Sequence, residues 1–231
     1  MPISKKFFVA NWKENKTYEE GIAFFCEFLK LLTDVPFADR EVVFCPSYLF
    51  LASFKEALSL YRGNIPVRLG SQDVSQFEQG SHTGEVSARL LSGLVDFAII
   101  GHSERRRSFN ETDEKINAKI HYCQAVGIAP IVCVSREKEV AALTVDISKR
   151  YLLAFEPPNS IGSGHPESVK VVEDFRNSVG SALANCAGFL YGGSVDEHNI
   201  KSFLDSTSVN GVLIGTASLK LENLFKIVVV I

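Results

Sequence analysis

Five short polar stretches in this chain carry residues able to do acid–base or anion chemistry, and each directly follows an apolar run. Phe97 to Ile100 leads into Gly101, His102, Ser103 and Glu104, Tyr151 to Phe155 is closed by Glu156, and Phe7 to Ala10 precedes Asn11, Trp12 and Lys13. Gly192-Gly193-Ser194 follows Gly188 to Tyr191, and Gly215-Thr216 follows Val212 to Ile214. A histidine so placed titrates near neutral pH and can donate or accept a proton, although one isolated His reads as a satisfied loop residue. A carboxylate closing an apolar strand is either paired structurally or kept as a base. Lys13 is a solvated side chain, an ion-pair partner for Glu104 or a phosphate ligand. The two glycine turns put small residues before a helix N-terminus, where backbone N–H groups bind anions. Ser194 also has Glu197 three residues on, the spacing of a capping box.

For these groups to meet, the elements carrying them must end on one rim. Apolar runs at Phe7–Ala10, Glu41–Cys45, Val67–Gly70, Phe97–Ile100, Ile128–Val134, Tyr151–Phe155, Gly188–Tyr191 and Val212–Ile214 read as strands buried on both faces. Helical patterns fall between them. The first opens on a Thr17–Glu20 capping box and puts Ile22, Phe25, Phe28, Leu29 and Leu32 on one side. Others run from Pro46 to near Leu60, from Gly84 to Leu91, and from Asn110 to Val126, where Gly127 is the stop. The rest cover Arg136 to about Lys149, Pro166 to Ala184, the stretch after Ser194, and Thr216 to about Ile227. The strand ends recur every ~29 residues, the size of one βα unit. Eight such units predict a single-domain (β/α)8 barrel over residues 1–231, a fold that gathers ligands at the carboxyl ends of its strands and phosphate after strands 7 and 8. No linker interrupts the pattern. The rival open, doubly wound sheet lacks its Gly-x-Gly-x-x-Gly after the first strand. Two loops are long or glycine-bearing enough to serve function, Ser71–Thr83 and Pro157–Gly164.

Composition narrows the partners. The 231 residues are 46% hydrophobic and 22% charged with formal charge −3, and no basic cluster exceeds Arg105-Arg106-Arg107, which argues against a nucleic-acid surface. Neither the run at Phe7–Ala10 nor the apolar tail Ile227–Ile231 is long enough for a signal or membrane segment. Five cysteines without a Cys-x-x-Cys pair read as free thiols in a reducing compartment. No His/Cys/Asp grouping has metal-ligand spacing, so neither metal nor cofactor is expected.

In order along the chain, Val9-Ala-Asn11-Trp-Lys13, Thr83-Gly-Glu85, Ile100-Gly-His102-Ser-Glu104-Arg-Arg106, Glu156-Pro followed by Ile161-Gly-Ser-Gly164, and Tyr191-Gly-Gly-Ser-Val195 resemble the triosephosphate isomerase family over nearly the whole length. The resemblance implies that Glu156 is the general base, His102 the electrophile and Lys13 an anion-stabilising cation. It implies a substrate-oxygen contact for Asn11, an orienting role for Glu104, and phosphate contacts from Gly162, Ser194, Gly215 and Thr216, with Lys13 the one cation nearby. A Glu base beside a neutral His, and a loop that closes over the site, are established patterns of that family rather than readings of this sequence. The chemistry fits independently. Moving a proton next to a carbonyl needs one carboxylate to take and return it, and aimed donors for the developing oxyanion.

The chain also departs from the family pattern. After Glu156 it reads Pro-Pro-Asn-Ser where much of the family reads Pro-Val-Trp-Ala, and after Cys133 it reads Val-Ser-Arg where a Gly-Glu pair is usual. Thr216 replaces a usual glycine and requires negative φ there; Glu14 and His82 depart outside the catalytic set. The fifth βα unit is short, with 23 residues from Cys133 to Glu156. The resemblance implies a cytoplasmic homodimer whose Ser71–Thr83 loop enters the neighbour's site, and the short fifth unit, shared with the archaeal members, raises a tetramer. Two rivals remain: a barrel that binds phosphometabolites without turnover, which needs no base, and another phosphosugar barrel enzyme such as an epimerase, against which the His-Ser-Glu-Arg-Arg stretch speaks.

Overall fold

All eight apolar runs form strands: β1 (Lys6–Asn11), β2 (Arg40–Cys45), β3 (Val67–Ser71), β4 (Phe97–Ile100), β5 (Ala129–Val134), β6 (Leu152–Phe155), β7 (Gly188–Tyr191) and β8 (Gly211–Ile214). The computed structural model describes residues 5–37, 39–146, 148–160, 164–183 and 185–229. In it the strands are parallel and close into a barrel in chain order, with β1 pairing both β2 and β8. Both faces are buried, which is why the runs read as continuously apolar. One set of alternate residues, including Phe7, Val9, Val43, Ile99, Ile131, Ala154, Leu190 and Leu213, packs inside the barrel. The other, including Phe8, Ala10, Phe44, Val132 and Leu153, packs against the helices. Because side chains alternate with a period of two, the next inward positions after Val9, Ala154, Leu190 and Leu213 are Asn11, Glu156, Gly192 and Gly215. The barrel's own periodicity therefore points these residues at its axis.

The opposite end is closed by charge. The buried Glu41 carboxylate lies 2.5 Å from Lys5 Nζ and 3.5 Å from Arg150, whose guanidinium covers the Phe7 and Phe97 rings.

The helices are shorter than their sequence patterns. α1 (Tyr18–Thr33) has the expected capping box: the Glu20 N–H donates to the Thr17 hydroxyl and the Thr17 N–H to the Glu20 carboxylate. Phe25, Phe28, Leu29 and Leu32 are buried there and Ile22 half-buried. α2 (Leu51–Leu60) is entered through a 3-10 turn, Tyr48–Phe50. α3 (Ala88–Leu91) begins four residues later than expected, because Gly84 takes φ +90° and Ser87 supplies the cap. α4 (Ser103–Ser108) has no counterpart among the expected elements, since three consecutive arginines give it no apolar period. Asn110 at φ 52° separates it from α5 (Asp113–Ala125).

Among the described residues of the fifth unit only α6 (Glu137–Ala141) is helical, against the expected Arg136–Lys149. The next residues are instead strapped to α5. The Asn117 amide donates to Ala142 O (2.8 Å) and accepts from the Thr144 N–H (2.9 Å); Gln124 does the same with Asp146 O and N–H, both at 3.0 Å. These side chains satisfy the backbone groups that a helix would have paired internally.

α7 (Val169–Ser178) and a 3-10 turn, Gly180–Leu183, replace one long expected helix, whose last residue, Ala184, lies outside the described residues. α8 (Ile200–Leu204) starts six residues after Ser194, and a 3-10 turn, Thr216–Leu219, leads into α9 (Leu221–Val229).

Candidate active site

Trp12 explains why Asn11 and Lys13 are held firmly. Its ring is fully buried, and four phenylalanines, Phe24, Phe44, Phe50 and Phe54, meet it edge-on at 5.1–5.8 Å. With Trp12 so anchored, the backbone turns sharply and Lys13 adopts φ 53°, a left-handed conformation unusual for a non-glycine residue. Three hydrogen bonds hold this geometry: the Lys13 N–H donates to Asn11 Oδ1 (3.1 Å), while the Gln72 amide donates to Lys13 O (2.8 Å) and Cys45 O (3.0 Å). Lys13 Nζ then lies 2.5 Å from Glu104 Oε1, an ion pair.

His102 is fixed by the helix it caps. Its Nδ1 accepts the Glu104 N–H at the start of α4 (3.2 Å). In the neutral ring the proton therefore sits on Nε2, which lies 3.0 Å from Glu156 Oε1. Glu156 is 1% exposed. One of its oxygens, Oε2, accepts the Ser103 N–H (2.8 Å), whereas buried Oε1 makes no aligned hydrogen bond. A buried carboxylate oxygen without an aligned partner calls for an explanation. Burial, reinforced by the Glu156 charge, pushes the nearby Cys133 thiol well above its usual range and keeps it protonated. Gly192 makes room for the carboxylate, since a Cβ there would stand 3.0 Å from Glu156 Cγ.

Burial raises the Glu104 carboxyl, but the hydrogen bond from Lys13 and the charges of His102, Lys13 and Arg107 outweigh it, so the net shift is downward. A carboxylate with a depressed folded-state pKa stabilises the fold fully above its unfolded value of about 4.5 and loses that contribution as pH falls through the folded value. The stability difference between the wild type and Glu104→Gln should thus be flat above about pH 4.5 and shrink in more acid solution. Urea midpoints taken across that range check it, and a difference that grows toward low pH would contradict it.

Asn11, Lys13, His102 and Glu156 share one cavity of about 420 Å³ with Ser194, Gly215 and Thr216. Glu104 faces a second cavity of about 440 Å³, reached across Asn11 and Lys13. Gly162 lies outside the described residues. Thr216 is not among the positive-φ residues and opens its 3-10 turn without strain. Lys13 is not the lone cation, because Lys220, just past that turn, also lines the first cavity.

The expected Ser194–Glu197 capping box does not form. The Ser194 hydroxyl donates to Ser160 O (2.6 Å) and accepts the Gly164 N–H (3.2 Å), while Asp196 accepts the N–H groups of His198 and Asn199. The Ser194 hydroxyl is thus already engaged by backbone across the barrel rim, and Asp196 caps the turn that follows it. Ser103, Gln72, Cys133 and Ser160 are contributors that the sequence reading did not single out. Ser103 and Cys133 flank motif residues, so strand-end position was the available signal; Gln72 and Ser160 offered none.

The fold and cluster define an α/β barrel with a carboxylate, an imidazole and an ammonium converging at the carboxyl rim. Residues 6–231 match the model of the family Triosephosphate isomerase. The chain is similar to the triosephosphate isomerase of Aquifex aeolicus, 34% identical over 97% of this chain and 98% of the relative. It is likewise similar to those of Cytophaga hutchinsonii (35%; 94% and 96%) and Thermodesulfovibrio yellowstonii (36%; 98% and 99%). The chain belongs to the triosephosphate isomerase family.

Proposed function

We propose that the chain, read as one domain over residues 1–231, interconverts dihydroxyacetone phosphate and D-glyceraldehyde 3-phosphate through an enediolate. Glu156 removes a proton from the carbon beside the carbonyl and returns it to the neighbouring carbon. The His102 Nε2–H, Lys13 and Asn11 carry the charge that develops on the oxygens. The phosphate lies against the backbone N–H groups of Gly162, Ser194, Gly215 and Thr216, with Lys13 and Lys220 as nearby cations. The supporting observation is the open, buried Oε1 of Glu156, 3.0 Å from His102 Nε2 in a cavity that Lys13 also lines. A barrel that only bound phosphometabolites would have no use for an open base. Purified protein should convert glyceraldehyde 3-phosphate in an assay coupled to reduction of dihydroxyacetone phosphate. Tight binding of the substrate without turnover would favour the binding-only barrel. In this reading the reaction is a step of glycolysis and gluconeogenesis in the cytoplasm; among the described residues no helix is long and apolar enough to cross a membrane.

The protein acts as a homodimer in this reading. The second cavity lies open beside Lys13, and Leu49, Phe77, Leu90 and Phe109 are large apolar side chains left exposed. The Ser71–Thr83 loop of a second copy would cover that cavity. None of the large exposed apolar residues falls in the fifth unit among the described residues, so the surface favours the dimer over a tetramer. Light scattering on a sizing column should give two protomer masses; one mass contradicts both assemblies, and four would establish the tetramer.

A further inference from the structure

The turn after β1, with Lys13, and the 3-10 turn Thr216–Leu219 after β8 both line the first cavity. They meet at Gly215, where a Cβ would stand 3.6 Å from Lys13 Cε and 3.8 Å from its Nζ. Lys16 bridges them a second time. Its Nζ donates to Leu219 O at 2.8 Å, between residues 203 positions apart. The same ammonium lies over the Phe24 ring at 4.4 Å and the Trp12 ring at 5.2 Å. Removal from water lowers its pKa below the usual lysine value, against the opposing charge of Glu20. The backbone of Lys16 is held at φ 73°, in the left-handed region that a side chain enters only at a cost. It is bracketed by two local bonds: the Asn15 amide donates to Trp12 O (2.7 Å), and Thr17 caps α1. An outlier of this kind, fixed by its surroundings, points to a functional constraint.

Resting on the isomerase reading above, we propose that Lys16 is a positioning residue, whose ammonium ties the turn after β8 to the turn after β1 so that the Gly215 and Thr216 N–H groups and the Lys13 ammonium face one phosphate together. The linkage is stiff at both ends. After β8, the Ser218 N–H and hydroxyl both donate to Gly215 O, at 2.9 and 2.7 Å, and Ser218 is fully buried. Leu219 follows directly, so a shift of its carbonyl is passed to Gly215 rather than absorbed. The same peptide leads into Lys220, which lines the cavity as well. After β1, the cover that Lys16 gives to Trp12 and Phe24 sits on the aromatic cluster that already anchors Lys13. Without the bridge, the two turns would meet only through the contact at Gly215 and the phosphate itself. Part of the binding energy would then go into bringing the amides and the cation into register.

Lys16→Met tests this, because it keeps an unbranched side chain over the two rings while removing the donor. Calorimetric titration with inorganic phosphate, which needs no turnover, should show an affinity about tenfold weaker than wild type, the scale of one hydrogen bond lost at the anion. The kcat/KM for glyceraldehyde 3-phosphate should fall by about tenfold as well. For glyceraldehyde, which offers the same carbonyl without the phosphate, it should stay within about twofold of wild type. A role in folding alone would lower both substrates alike. The wild-type-to-variant ratio for the phosphorylated substrate should persist at about 1 M salt, where a bare charge effect is screened beyond about 3 Å. Phosphate affinity and kcat/KM both within about twofold of wild type would overturn the proposal. So would equal losses with the two substrates, or a loss that vanishes in salt. If Lys16→Met does not fold, Lys16→Ala decides by the same limits. Absence of isomerase activity in the unmodified protein would instead sink the parent reading and leave the phosphate titration to judge Lys16, whereas failure of the unmodified protein to bind phosphate would sink the proposal itself.

Discussion

Glu156→Gln should lower kcat by at least about 10²-fold with little change in KM. The amide keeps the size and planarity of the carboxylate, so the close approach to Gly192 and the bond from the Ser103 N–H both survive. What is lost is the acceptor: Oε1 now lies 3.0 Å from His102 Nε2 with no aligned hydrogen bond, and an amide there cannot take a proton. General-base catalysis contributes about 10²–10⁴, which sets the expected loss. Steady-state kinetics on the variant, with circular dichroism to verify folding, make the check. Near wild-type turnover from a folded Glu156→Gln protein would remove Glu156 from the mechanism.

Lys13→Ala should cost about 10²–10³ in kcat/KM, the range found when one aimed electrostatic donor is removed from a site. Two effects combine. The developing oxyanion loses a cation, and the half-buried Glu104 is left beside the substrate without its 2.5 Å partner. An uncompensated negative charge would then face an incoming dianion. KM should therefore rise as well as kcat fall, unlike the pattern at Glu156. The double variant Lys13→Ala/Glu104→Gln should recover part of the KM loss, and a double variant with KM no better than Lys13→Ala alone would show that Glu104 does not repel the substrate.

The barrel was legible because its strands are short, apolar and evenly spaced, and because each proposed catalytic residue stands at the end of one of them or within a few residues of it. Phe97–Ile100 and Gly188–Tyr191 fall on the observed strands residue for residue. Helix ends were less legible, since side-chain capture of the backbone decides them. Asn117 and Gln124 unwind the fifth unit from a different helix, and the Ser160 and Gly164 backbone engages the Ser194 hydroxyl that was expected to cap. Neither competition leaves a periodic trace. α4 was hidden because its helical turn is set by the His102 cap and carries arginines instead of an apolar stripe. Within the site, types and order singled out Asn11, Lys13, His102 and Glu156, which the fold brings to one cavity. The Gln72 clamp on Lys13 and the Ser194–Ser160 hydrogen bond join residues 59 and 34 positions apart, so only the closed barrel brings them together.

The central claim is that one carboxylate moves a proton between adjacent carbons of a triose phosphate. Turnover of glyceraldehyde 3-phosphate in D2O, followed by proton NMR, tests it most directly. A base that exchanges with solvent during the lifetime of an enediolate should leave deuterium on the carbon that receives the proton in a substantial share of the product, and Glu156→Gln should suppress isomerisation and labelling together. Product formed at full rate with the substrate's own hydrogen entirely retained would mean that no solvent-exchanging base takes part, and would contradict the account.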